Sequence, residues 1–186
     1  GSGYTYAEAL AETIKISDKI QDNALSICLC SNSVESIVGY ISLLNNRTPV
    51  ILLDEGLSID YILKYINEFN VNLLWVPEYI NIKGFKCIFK YLNYHLLYFD
   101  NSVEVDKELS ILIPTSGSTG SKKLVKLSYQ NIESNTSAII NYLKLDSKQI
   151  TITTLPFSYS FGMSIINTLI KVGGKIVVTK KSFFNK

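Results

Sequence analysis

A recurrence constrains the fold of this chain more than any other feature. Short runs that are apolar at nearly every position are each followed by a longer segment whose apolar residues return at helical spacing. Residues 25–30, 50–53 and 73–76 are such runs. Between them, Val34, Ile37, Val38, Ile41 and Leu44 mark one face of a helix, and Ile59, Ile62, Leu63, Ile66 and Phe69 mark another. A strand with one wet face alternates apolar and polar residues, whereas a strand apolar throughout is covered on both sides. Strands of that kind, each returning through a helix, predict a βαβαβ unit. The fold class is therefore α/β, a mostly parallel sheet flanked by helices on both faces.

Helix-start signals agree with this reading. Thr5 and Glu8 are spaced as a capping box ahead of Tyr6, Ala9, Leu10, Thr13 and Ile14, which predicts a first helix to about Ile16; Ser33 and Ser58 stand where N-caps are expected. The pattern resumes with a strand over 109–113 and a helix carrying Ile132, Ile139, Ile140 and Leu143, with Ser128 as its cap. A strand over 150–155, a helix over 163–170 and a strand over 175–179 follow. Residues 83–99 are dense in Phe and Tyr without a clean period and are expected to form short strands at the sheet edge.

The length of 186 residues and a hydrophobic content of 47% allow one substantial core and exclude a disordered or collagen-like chain. A net charge of +2 is too small to suggest nucleic acid or an anionic membrane as partner. No apolar run is long enough to span a membrane and the start is not a signal peptide, so a cytoplasmic location is expected. Residues 1–3 read as a cloning remnant. The cysteines, Cys28, Cys30 and Cys87, are few and odd in number, against a secreted disulfide scaffold. Cys28 and Cys30 share one strand face and could in principle bind a metal, but no second ligand pair accompanies them, which favours structural thiols. His95, the single histidine, has no evident carboxylate or nucleophile partner and reads as structural or exposed.

The chemically suggestive segment is Thr115, Ser116, Gly117, Ser118, Thr119, Gly120, Ser121, Lys122 and Lys123. Glycines at 117 and 120 free the backbone and remove side chains that would block an anion. Backbone N–H groups and the hydroxyls of Ser116, Ser118 and Thr119 can then donate to phosphate oxygens, with Lys122 and Lys123 at the rim. A solvated Ser/Gly turn is the plain alternative. Neither the Walker loop nor the Rossmann glycine pattern is present, so another nucleotide-binding class is required.

The order of residues from Pro114 to Val125, followed by Ser128, Tyr129, Gln130 and Asn131, resembles the signature of the adenylate-forming (AMP-binding) enzymes. These include acyl-CoA synthetases and the adenylation domains of peptide synthetases. A second segment, Leu155, Pro156, Phe157, Ser158, Tyr159, Ser160, Phe161 and Gly162 with Gly173 and Gly174 downstream, is similar to another of the family's motifs. The opening through Tyr4, Thr5 and Tyr6 to Pro49 and Val50 also follows the start of the family's large domain. Departures are Pro114 where the family has an aromatic, Lys122, Lys123 and Leu124 for Pro-Lys-Gly, and Tyr129 and Tyr159 where histidine is common.

The resemblance implies that residues 4–186 are the N-terminal part of an AMP-binding (adenylation) large domain. Its activity would be an ATP-dependent carboxylate-activating ligase that forms an acyl-adenylate and passes the acyl group to a thiol, either of CoA or of a carrier protein. ATP and Mg2+ are the implied cofactors, the magnesium ligand being expected outside these residues, and a carboxylic acid is the implied substrate. The nucleotide would be bound by Thr115, Ser116, Gly117, Ser118, Thr119 and Gly120. Lys123 is implied as the catalytic lysine, with Lys122 as its substitute. Tyr159, Ser160, Phe161 and Gly162 would line the substrate pocket; the alternative is an aromatic core turn, since Phe157, Tyr159 and Phe161 also alternate as in a half-buried strand. The family's ribose-binding acid, its magnesium motif and its C-terminal lysine are not found here, so these residues alone are expected to be inactive. A free-standing, non-catalytic nucleotide-binding module and an unusual phosphotransferase are the other readings.

Overall fold

The computed structural model describes residues 3–21, 23–101, 103–115 and 123–179. Helix α1 (Tyr6–Ser17) opens with the expected capping box, in which the Thr5 hydroxyl accepts from Glu8 N and the Glu8 carboxylate reaches back to Thr5 N at 2.7 Å. Strand β1 (Ser26–Cys30), helix α2 (Val34–Asn45), strand β2 (Val50–Asp54), helix α3 (Ile59–Phe69) and strand β3 (Leu73–Pro77) follow. Ser33 caps α2 by accepting from Ser36 N, a contact worth about 1 kcal/mol. Ser58 occupies the N-cap position of α3 but its side chain makes no capping bond.

The aromatic-rich stretch folds into an antiparallel pair, β4 (Lys86–Tyr91) and β5 (Tyr94–Tyr98). Next come β6 (Leu109–Pro114), β7 (Leu124–Ser128), helix α4 (Tyr129–Leu143), β8 (Ile150–Thr153), helix α5 (Ser160–Val172) and β9 (Lys175–Val178). Seven strands form one sheet in the order β4-β5-β3-β1-β2-β6-β7, while β8 and β9 pair parallel in a second. The centre β3-β1-β2-β6 is parallel, and both flanks are antiparallel. The βαβαβ unit supplies three strands of that parallel centre and β6 the fourth. The antiparallel edges come from two hairpins, which need only short connections.

Strand β7 has no counterpart in the sequence reading. Its residues are at most half-buried, and Lys126 interrupts a short apolar set, so no run of the inner-strand type appears. Edge strands with a wet side give weak signals for this reason.

The pleat sends Cys28, Cys30, Leu52 and Trp75 to one face, where α1, α2 and α5 cover them with Ile16, Val38, Tyr40, Leu43, Met163 and Ile166. Ile27, Leu29, Ile51, Leu53, Leu74 and Val76 point to the other, against Ile62, Tyr65 and Ile66 of α3. Trp75 is fully buried and its Nε1 donates to Glu35 O at 3.0 Å. The indole lies flat against α2 where Gly39 has no side chain; a Cβ there would overlap the ring. Among the described residues no helix is long and apolar enough to cross a membrane.

Candidate functional site

Strands β1, β2 and β6 run in one direction, so their carboxyl ends open on a common side, where parallel sheets place their ligands. At the end of β6 the chain enters the glycine-rich segment. Thr115 N and Thr115 Oγ1 both donate to Lys123 O, at 3.0 and 3.2 Å, so the segment leaves and returns at one point. Beyond this neck, Pro114 pairs with Leu124 and the hairpin continues down β7. The segment is thus the connection of an antiparallel hairpin, and a strand separates it from the helix that Ser128 caps. Thr115 and Lys123 are exposed. Ser116, Gly117, Ser118, Thr119, Gly120, Ser121 and Lys122 lie outside the described residues.

The second half of the signature is structural. Ser128 Oγ accepts from Asn131 N at 3.1 Å and Asn131 Oδ1 accepts from Ser128 N at 3.0 Å, a reciprocal cap that starts α4. Tyr129, where the family commonly has histidine, lies under the Arg47 guanidinium, 4.9 Å from ring centre to Cζ. Burial raises the Tyr129 phenol above its usual range, so it stays protonated.

The second motif is a tight turn into a helix, in which Phe157 alone of the three alternating aromatics enters the core. Phe157 is buried against Tyr40, with ring centres 5.5 Å apart, and Tyr40 donates to Asn167 Oδ1 at 2.9 Å. Tyr159 is the N-cap of α5, and Ser160, Phe161 and Gly162 fall in its first turn. A period of two cannot persist there because helical residues repeat every 3.6 positions. Tyr159 and Phe161 are accordingly 60% and 64% exposed, while Gly162 is buried. A Cβ on Gly162 would come within 2.5 Å of Pro156 O, so glycine is required there by packing.

The two motif segments meet at a cleft of about 200 Å3, lined by Pro114 from β6, Ser158 and Tyr159 from the turn, and Asp54, Leu57, Tyr61 and Tyr65 from the β2–α3 connection and α3. Of the residues expected in a substrate pocket, Tyr159 lines it. Ser158, which the second motif contains but which was not expected in the pocket, does so too, as do Asp54 and Tyr61, since an isolated Asp or Tyr carries no pattern in sequence. Asp54 Oδ1 accepts from Gly56 N at 2.9 Å, which fixes the turn after β2. Ser158 Oγ is buried and has no hydrogen-bond partner among the described residues.

A second polar group sits at the end of β1. The Ser31 hydroxyl meets Ser33 Oγ at 3.0 Å and Tyr94 OH at 2.9 Å, and Tyr94 donates to Leu29 O. Burial keeps the Tyr94 phenol protonated well above its usual range. Asn32 donates from Nδ2 to Thr153 O at 3.2 Å, tying the end of β1 to the end of β8. That bond joins the two sheets.

The remaining candidates are structural. Cys28 and Cys30 are buried on the same face of β1, Cys30 Sγ donates to Cys28 O, and burial pushes the Cys30 thiol well up. No group of three or more His, Cys, Asp or Glu gathers among the described residues. His95 is buried on β5, its Nε2 lies 2.9 Å from Ile80 O, and burial lowers its pKa below the usual imidazole range.

A parallel-centred sheet with a Ser/Thr/Gly hairpin at its carboxyl end and a Pro-bearing turn into a helix beside it defines an adenylate-forming type of large domain. The chain belongs to the AMP-binding enzyme family, whose model matches residues 4–186. It is 25% identical over 194 residues to the D-alanine--D-alanyl carrier protein ligase of Bacillus licheniformis, covering 98% of this chain and 39% of that protein. Its identity to the Staphylococcus aureus ligase of the same description is 23%, again over 98% of this chain and 39% of the relative. The chain therefore spans well under half the length of these curated relatives. Among solved structures, O-succinylbenzoate coenzyme A synthetase (MenE) from Bacillus subtilis, in complex with ATP and magnesium ion, superposes with a TM-score of 0.76 at 16% identity, covering 98% of this chain and 53% of that one. MatB from Rhodopseudomonas palustris gives 0.76 at 14% identity, over 97% and 41%.

Proposed function

We propose that these residues form the N-terminal part of the large domain of an ATP-dependent ligase. The ligase activates a carboxylic acid as its acyl-adenylate and passes the acyl group to a thiol. The observation that carries the reading is the meeting of the two motif segments at one cleft, with Thr115 and Lys123 at the neck beside it. In the first step a carboxylate oxygen bonds to the α-phosphorus of ATP and the α–β bridging bond breaks, leaving pyrophosphate. Charge grows on the leaving group, and donors of the segment from Thr115 to Gly120 that are not spent on Lys123 O, as those of Thr115 are, stabilise it, each contributing on the order of 3 kcal/mol where water is excluded. Lys123 supplies a point charge to the β- or γ-phosphate.

Thr115 and Lys123, exposed at the neck of the segment, leave its donors open to a polyphosphate. The described residues gather no ligand set for Mg2+, which would arrive with ATP and take its protein ligand from elsewhere. Tyr159 faces the acid from the cleft wall. Between the two thiols, the carrier-protein ligases among the relatives favour a carrier-bound acceptor.

The test is carboxylate-dependent ATP–pyrophosphate exchange by the full-length protein that contains these residues, with a panel of short, long and aromatic acids. Exchange with one acid, lost in Lys123→Ala, is expected. ATP binding without exchange for any acid would instead favour a non-catalytic nucleotide-binding module.

A further inference from the structure

The walls of the cleft belong to two different sheets. Leu52, Leu53, Asp54 and Pro114 come from β2 and β6 of the seven-stranded sheet, whereas Ser158 and Tyr159 stand between β8 and α5. Among the described residues no strand pairing joins β8 or β9 to the larger sheet, so the gap between the walls is set by the contacts that hold one sheet against the other. On the α5 side these include Phe157 against Tyr40 and the Tyr40 phenol donating to Asn167. On the β8 side, the Asn32 amide donates to the carbonyl of Thr153, the last residue of the strand, at 3.2 Å. Asn32 is half-buried and lies outside the cleft lining. Its backbone is fixed by its neighbours: Ser31 Oγ meets Ser33 Oγ and Tyr94 OH, Ser31 N donates to Ser36 Oγ at 3.1 Å, and Ser36 Oγ donates to Leu29 O at 3.2 Å. All four of these neighbours are buried, and a satisfied buried network of this kind is rigid. The amide is therefore aimed at Thr153 from a firm base.

We propose that Asn32 is a positioning residue for the acid: through Thr153 O it sets how far the turn carrying Ser158 and Tyr159 stands from β2 and β6, and hence the width of the cleft. This rests on the reading of the cleft as the acid's site in a ligase. The tether works by preorganisation. Without the Asn32 donor, the turn relaxes away from the larger sheet and has to be ordered again when the acid binds, which costs affinity. ATP responds differently, because the hairpin proposed to bind it connects β6 and β7, both strands of the larger sheet.

The test is Asn32→Leu in the full-length protein, which removes the donor at similar size and leaves the bonds of Ser31, Ser33, Ser36 and Tyr94 in place. In pyrophosphate exchange, KM for the accepted acid is expected to rise about 10-fold, with KM for ATP and the maximal rate within about 2-fold. The Tm should stay within about 3 °C. Hydrogen exchange is the second readout. The Tyr159 and Met163 amides, which donate to Pro156 O and Tyr159 O, are expected to exchange about 10-fold faster in the variant, while those of β1 and β2 keep their rates. In an active protein, either readout unmoved overturns the inference. So does a rise in both KM values with a larger fall in Tm, which would assign Asn32 to the stability of the fold. These outcomes separate the tether from the functional reading. A protein inactive with every acid whose Tyr159 and Met163 amides still loosen defeats the ligase reading and leaves Asn32 as the spacer of the cleft; unmoved amides in that protein defeat both.

Discussion

The two glycine-bearing motif segments look alike in sequence and are built for different ends. At the end of β6, the hairpin is closed by Thr115 and Lys123 through one shared carbonyl, and both residues face solvent. At the start of α5, Pro156, Phe157 and Gly162 are locked together, with Phe157 buried against Tyr40 and no room for a side chain on Gly162. A glycine in the first is proposed to serve approach by a ligand. In the second it serves the approach of the chain to itself. Family-level motif matching does not separate these roles, because both read as glycine at a fixed place.

The sharpest way to break the contrast is a pair of valines. Gly120→Val is expected to reduce ATP binding of the full-length protein at least 100-fold while its Tm stays within about 2 °C, since a side chain there would block the approach of phosphate. Unchanged ATP affinity in a calorimetric titration would remove the loop from the site. Gly162→Val should instead unfold the protein more easily, by about 2–3 kcal/mol in urea, because backbone or helix must move away from Pro156 O. Loss of catalysis at full stability in that variant would reverse the assignment of packing to the second motif.

Lys123→Ala is expected to lower pyrophosphate exchange on the order of 100-fold with no change in Tm, as suits an exposed cation acting on a developing anion. An unaffected rate would move the role to Lys122. Ser158→Ala sharpens the comparison from the cleft side. Its hydroxyl is buried without a partner among the described residues, so its removal should leave stability equal or higher by about 1 kcal/mol and change KM for the acid by a few-fold. A loss of stability would show that the hydroxyl serves the fold.

The smallest effect belongs to His95, remote from both motifs on β5. Its pKa is lowered by burial, so between its folded and unfolded values the unfolded chain holds more protons. Stability should therefore fall as pH drops below about 6.5, the unfolded imidazole value, by less than one proton's worth of slope, and His95→Gln should flatten that part of the profile. An unchanged profile would place the acid sensitivity elsewhere.

Much of the frame could be read from residues alone. The inner strands β1, β2 and β3 were legible because burial on both faces demands apolar residues at every position, and α1, α2 and α4 because Thr5, Ser33 and Ser128 announce their first turns. Strand β7 was not legible, since an edge strand with Lys126 needs only its partner β6 to exist. The turn at Phe157 and Tyr159 was ambiguous for a related reason: alternation over a few residues fits a strand until a helix begins at Ser160.

The sequence by itself determined the α/β class, the βαβαβ centre and the family signature, because periodicity and residue order are local properties of the chain. Only the tertiary structure decided that Pro114, Ser158, Tyr159 and Asp54 share a cleft. It alone left Ile150 and Ile152 without cover. Each of these depends on which distant segments pack together, and that is fixed by strand order and burial across the whole sheet.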